Sequence, residues 1–161
     1  MFWVYLAEFM LAVVLVAWQL AWPTWLRLAG QPPDLAVVLL VAVGLGRGPT
    51  EGCWSGLSTG LLAGALSHLP LGGLFVSHIG AGTTLGLLGG RLFPNQVTVA
   101  MVVTATTVLA MNLVELFFLP PPYFVQWLTA TLAQALISGV VAVPVFALLR
   151  LLFSHLPPAG R

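Results

Sequence analysis

Long apolar stretches, separated by short segments that contain Pro, Gly or Arg, dominate the pattern of hydrophobic and polar positions along the chain. A transmembrane helix needs about 20 apolar residues, because the rise is about 1.5 Å per residue across about 30 Å of hydrocarbon. The stretches predict six helices, at residues 2–22, 34–46, 49–69, 71–93, 96–119 and 124–153. We therefore expect an all-α bundle of transmembrane helices that forms one domain over residues 1–161.

Proline positions support this division, because proline removes a backbone donor and clashes inside a helix. Every proline except Pro144 lies at or beyond a predicted helix end. The second helix is short, since its residues 34–46 span only about 20 Å. It either lies in a thinned bilayer or is shielded by its neighbours.

The composition of the chain is that of a membrane protein. Hydrophobic residues make up 60% of it and charged residues 6%, against about 45–50% and about 25% in soluble domains. The net charge of +1 comes with five Arg and no Lys, which excludes a basic surface for nucleic acid. A lone Cys53 cannot form an intrachain disulfide. The first apolar stretch is too long for a cleaved signal peptide, so we interpret it as a retained helix.

Arginine positions predict the orientation, because cytoplasmic loops carry an excess of basic residues. Six helices place both termini on one side. Four arginines then lie on the same side as the termini, namely Arg47, Arg91, Arg150 and Arg161. Only Arg27 lies on the other side. We therefore expect both termini in the cytoplasm.

Glycines recur every four residues in the third and fourth helices, and they are Gly52, Gly56, Gly60, Gly64, Gly82, Gly86 and Gly90. Steps of four keep residues on one gently drifting stripe of a helix. Such a stripe lets another backbone approach closely, which is how membrane helices associate. The stripes serve either packing within the bundle or contact with a helix of a partner protein.

Charged residues inside a bilayer are costly, so each is a candidate for function. Glu8 lies two turns into the first helix, where we expect a carboxylate near the inner interface that is protonated or reaches water. Asp34 follows two prolines and is placed to cap the second helix. Glu51 lies in the first turn of the third helix, where it suits the helix dipole, and Arg47 is close enough in sequence to pair with it.

Asn112 and Glu115 are one turn apart in the fifth helix, and we expect them to form one polar spot near its outer end. This spot is either an interhelical hydrogen bond or a contact for a partner or small ligand. His68 and His78 flank the predicted outer loop between the third and fourth helices. Their spacing fits no zinc motif, so we expect interface histidines and no metal site.

Catalytic signatures are not present in the sequence. It contains no G-x-S-x-G, H-E-x-x-H or Walker motif, and no paired acids at helical spacing. We therefore expect a protein that is not an enzyme and that needs no cofactor.

Three motifs between residues 31 and 73 resemble MreD, the rod shape-determining membrane protein family of bacteria. They are PPDLAVVLL at the entry to the short second helix, GRGPTEG leading into GLSTGLLAGAL, and the LPLGG turn. The six-helix layout and the length fit over the whole chain. Members often carry an aspartate eight residues before the Leu-Gly glycine, but Gly64 occupies that position here, so no residue takes that role.

The resemblance implies a non-enzymatic scaffold of the cell-elongation (rod) complex in the bacterial cytoplasmic (inner) membrane. Its partner would be MreC, and it would link MreB filaments to peptidoglycan synthases, namely RodA and a class B penicillin-binding protein. The family's fold is similar to that of the S-components, the substrate-binding subunits of energy-coupling-factor vitamin transporters. This similarity supplies the alternative function. A vitamin-binding pocket in this chain would have to be formed by a few polar residues: Gln31, Ser67, His68, Ser77, His78, Asn112 and Glu115.

Overall fold

The computed structural model describes residues 2–66, 71–89 and 97–153. Over these ranges it is a bundle of six α-helices without a β-strand, which confirms the predicted all-α class. The helices are α1 (Phe2–Leu20), α2 (Leu35–Arg47), α3 (Pro49–Leu66), α4 (Leu71–Leu88), α5 (Val97–Phe118) and α6 (Phe124–Phe153). By length and composition, α1, α5 and α6 can each cross a membrane. Such apolar helices are typical of a membrane protein.

The helix ends follow the prolines closely. α3 begins at Pro49, α6 begins two residues after Pro122, and Pro144 lies inside α6. α1 ends at Leu20, two residues earlier than predicted, and a short 3₁₀ turn follows at Thr24–Leu26. The ends predicted for the third and fourth helices, at residues 69 and 93, lie outside the described residues.

The short helix α2 is the centre of the bundle. Each residue from Leu35 to Leu45 is buried, and α2 contacts all five other helices. Because its side chains face protein on every side, its length need not match the bilayer. Of the two explanations for its shortness, the structure shows the second: its neighbours shield it.

The other helices surround α2 in the order α1, α3, α4, α5, α6, and α3 and α4 form the most extensive pair. Among the residues described, the backbones of α1 and α6 do not approach each other, and both helices pack on α2. The two ends of α2 define two levels in the bundle. The Asp34 end is the level at which α2 begins, and the Arg47 end is the level at which it finishes.

Candidate functional site

The repeated glycines of α3 and α4 face each other. A Cβ atom added at Gly52 would overlap the carbonyl oxygen of Gly82, and one added at Gly56 would lie 2.8 Å from the carbonyl carbon of His78. At Gly86 an added Cβ would overlap the backbone of Pro49. These glycines therefore let two backbones of the same chain touch, and the stripe is an internal packing surface.

The remaining glycines of the two stripes are less tightly enclosed or lie elsewhere. A Cβ at Gly60 would lie 3.2 Å from the Cβ of His78, which is close but less severe. Gly64 is only half-buried, and Gly90 lies outside the described residues. The Arg91 and His68 positions also fall outside them, as does Ser67.

The buried start of α2 is capped by polar side chains from three parts of the chain. Asp34 takes the N-cap position, and its Oδ1 accepts a hydrogen bond from the Val37 N–H at 3.0 Å. Gln19 of α1 accepts one from the Leu35 N–H at 2.9 Å, and Ser138 of α6 accepts one from the Asp34 N–H at 2.8 Å. The first N–H groups of a helix have no partner within it, so these side chains replace the water that a buried helix start lacks.

Two further polar residues near this end come from α4. His78 is 3% exposed, and its Nδ1 lies 2.9 Å from the carbonyl oxygen of Leu74. The neighbouring Ser77 hydroxyl lies 3.3 Å from the same ring nitrogen and 3.5 Å from Oε1 of Glu115. α4 therefore brings a histidine and a serine to the same region as Asp34 and Glu115.

Asn112 and Glu115 do not form one spot. The Asn112 Nδ2 donates to Oε1 of Gln134 on α6 at 3.1 Å, whereas Glu115 accepts from Ser77 on α4. The prediction of a joint polar spot was therefore wrong, although each residue does make an interhelical hydrogen bond. Three residues along a helix advance by about 300°, and the remaining 60° is enough to direct the two side chains to different neighbours.

At the Arg47 end, an ion pair joins α1 to α2. The Nη1 of Arg47 lies 2.6 Å from Oε1 of Glu8, whose side chain is 2% exposed. Of the two states expected for Glu8, contact with water is therefore wrong, because the side chain is enclosed together with a counterion. Glu51 is buried in the first turn of α3, next to Tyr5, whose ring packs edge-on against Trp54 at 5.3 Å.

A groove runs between α4 and α5 on the outer face of the bundle, with a volume of about 460 Å³. Small side chains line much of it: Gly80 and Thr84 from α4, and Thr106 and Ala110 from α5, all of them exposed. The Thr84 and Thr106 hydroxyls donate to carbonyls of their own helices at 2.7 and 2.9 Å, so these polar groups are already satisfied. Ser77 lies toward its Asp34 end.

Several of these functional positions were missed from the sequence. Gln19, Gln134 and Ser138 bind buried groups, and Gly80 lines the groove. The available signal was that each is polar or small within an apolar helix, which marks helix contacts in membranes. No group of three or more His, Cys, Asp or Glu able to hold a metal ion occurs within the described ranges.

Comparisons with family models, curated proteins and solved structures found no match to this chain. The function of the chain is therefore inferred from the geometry of its bundle and the pattern of its residues.

Proposed function

We propose that this chain is a non-enzymatic membrane scaffold that holds a membrane-spanning helix of a partner protein in the groove between α4 and α5. The groove is the observation that carries the proposal. Its four exposed small residues form two pairs, Gly80 with Thr84 and Thr106 with Ala110, each spaced by four. Small residues at this spacing are how membrane helices approach one another closely.

The dimensions of the groove suit a helix. Its lining runs from Val76 to Leu88 on α4 and from Val103 to Val114 on α5. At about 1.5 Å per residue each wall is about 17 Å long, or about three helical turns. Lateral opening fits a partner that enters from the bilayer, since Gly80 and Ala110 are exposed on the outer face of the bundle.

The resemblance to the MreD family supports the identity of that partner. It suggests MreC, a protein with a single membrane span, and a role in the rod complex together with MreB, RodA and a class B penicillin-binding protein. The membrane would be the bacterial cytoplasmic membrane. The arginine distribution supports an orientation with both termini in the cytoplasm, since Arg47 and Arg150 then lie on that side and Arg27 on the other.

The repeated glycines are not the partner surface in this proposal, because α3 and α4 use them against each other. Substitutions at Gly56 or Gly86 would therefore disrupt the bundle itself. Gly80 is different: an added Cβ there meets no atom of the described residues within 4 Å. Gly80→Leu should consequently fill the groove while the bundle still folds.

The test is coexpression of the chain with an MreC-like single-span protein, followed by affinity purification in detergent and mass analysis. We expect a stoichiometric complex with the wild type, and loss of the partner with Gly80→Leu and with Ala110→Leu. The matched control is Ala147→Leu, which adds the same side chain at an exposed position of α6 away from the groove. Each variant must elute from size exclusion as the wild type does.

Two outcomes would contradict the proposal. Equal recovery of the partner by Gly80→Leu and Ala147→Leu would exclude the groove as its binding surface. Purification of the chain without any partner but with a bound small molecule would support the alternative, a substrate-binding S-component of a vitamin transporter. Two of the polar groups that its pocket would need argue against that alternative, because Asn112 is bonded to Gln134 and the Nδ1 of His78 contacts the Leu74 carbonyl.

A further inference from the structure

Glu115 lies beside the Asp34 end of the groove. Its Oε1 is 3.5 Å from the hydroxyl of Ser77, and Ser77 is one of the groove's lining residues. The preceding residue, Val114, also lines the groove. Glu115 is half-buried, and the α5 helix ends three residues later at Phe118. The carboxyl group is thus about one turn inside the end of α5 and is in contact with one residue of the groove's lining, Ser77.

The described part of this chain does not provide the positive charge that such a carboxylate needs. No Arg or His nitrogen among the described residues lies within 4.0 Å of it. The titratable group whose charge acts on it is Asp34, which is also acidic. His78 lies near the same Ser77 hydroxyl, and its Nδ1 is 2.9 Å from the Leu74 carbonyl oxygen. Among the described residues it accepts one hydrogen bond, from the Ser77 hydroxyl, and this bond is at the long limit of such contacts.

A half-buried carboxylate in an apolar bundle is costly unless a cation or several donors compensate it. We infer that the helix held in the groove carries an arginine or lysine near the end of its span, and that this cation pairs with Glu115. The inference rests on the proposed function, because it specifies the chemistry of the helix that occupies the same groove. Arginine suits the site best, since its planar guanidinium can bond both carboxylate oxygens at once.

The geometry also sets a register for the partner helix. Ser77, at the level of Glu115, is seven residues from Thr84, which lines the middle of the groove. Seven residues are about two turns, so both positions lie on nearly the same face of a helix. The partner should therefore carry a small residue about seven positions from its basic residue, on the same face.

The experiment measures binding of synthetic single-span helices to the purified chain in lipid nanodiscs by energy transfer between fluorescent labels. The probes are three apolar peptides with glycine on one face. They differ only at the position seven residues from the central glycine, which is Arg, Gln or Glu. We expect the wild type to bind the Arg peptide about three- to tenfold more tightly than the Gln peptide. Glu115→Gln should abolish this difference, and Glu115→Arg should prefer the Glu peptide.

The outcomes separate this inference from the proposed function. Equal binding of the Arg and Gln peptides to the wild type, with binding still lost in Gly80→Leu, would overturn the role of Glu115 and leave the groove as a helix site. If no peptide binds the wild type, the groove is not a helix site and both proposals fall. Retention of an ethanolamine lipid by the wild type and its loss in Glu115→Gln, seen by native mass spectrometry, would assign the carboxylate to a lipid headgroup and overturn the inference.

Discussion

The close contact of α3 and α4 predicts that Gly82 tolerates no side chain. A Cβ added at Gly82 would overlap the carbonyl oxygen of Gly52 and would lie 2.8 Å from both the carbonyl carbon of Gly52 and Cδ1 of Leu40. Carbon atoms prefer separations of about 3.5–4.0 Å, so α3 and α4 would have to move apart by about 1 Å. The obstacle is backbone, which cannot rotate away as a side chain would.

Gly80 provides the matched control for this substitution. It lies in the same helix two residues earlier, and a Cβ there meets nothing within 4 Å in the part of the chain that the structure describes. Both Gly→Ala changes gain the same helix propensity, about 1 kcal/mol. The difference between the two variants therefore isolates the packing cost, which is about 1–3 kcal/mol for an overpacked contact.

Thermal denaturation in detergent, followed by tryptophan fluorescence, measures this difference. A change of 1 kcal/mol shifts the melting temperature by about 2–4 °C in a chain of this size, so Gly82→Ala should melt about 4–8 °C below Gly80→Ala for a cost of about 2 kcal/mol. If Gly82→Ala melts at the same temperature as Gly80→Ala or higher, the backbones are not in contact, and the glycine stripes must serve another purpose.

Three further predictions concern the buried polar groups. Arg47→Met should lower the free energy of unfolding by about 3–5 kcal/mol, because Glu8 is left charged and unpaired. Adding Glu8→Gln should restore most of the lost stability in the same melting assay, and a double variant as unstable as Arg47→Met would exclude the ion pair. Gln19→Leu should cost about 1–3 kcal/mol and speed hydrogen exchange at the first two N–H groups of α2, whereas unchanged exchange would exclude the cap. A double-mutant cycle with Asn112→Leu and Gln134→Leu should give a coupling of about 0.6 kcal/mol, and strict additivity would show that the two amides do not bond.

The helices of this fold could be predicted from sequence because their determinants are local. Apolar length and proline placement set the starts at Pro49 and Phe124 and placed Asp34 at the start of α2. The central position of α2 could not be predicted, because a short helix in a thinned bilayer and a short helix inside a bundle have the same apolar sequence pattern. Only the packing of five neighbours distinguishes the two cases.

The partners of the polar residues could not be predicted, because they depend on long-range packing. Glu8 and Arg47 are 39 residues apart in sequence, and Asp34 and Ser138 are 104 apart. Proximity in sequence favours a pair between Arg47 and Glu51, its neighbour across a short turn. The structure brings Glu8 of α1 to Arg47, since α1 packs along both α2 and α3.

The two faces of α4 carry the strongest argument for a partner. Gly82 and Gly80 are two residues apart, about 200° around the helix, so they lie on opposite sides. The side with Gly82 is in contact with α3, and its small residues are explained by that contact. The side with Gly80 meets no described atom that a side chain would displace. Glycine there weakens the helix by about 1 kcal/mol relative to alanine, and no packing gain within the described residues offsets this. Close approach of a helix from another chain would offset that cost. If this side of α4 faced only lipid, a large apolar residue would be expected in place of Gly80.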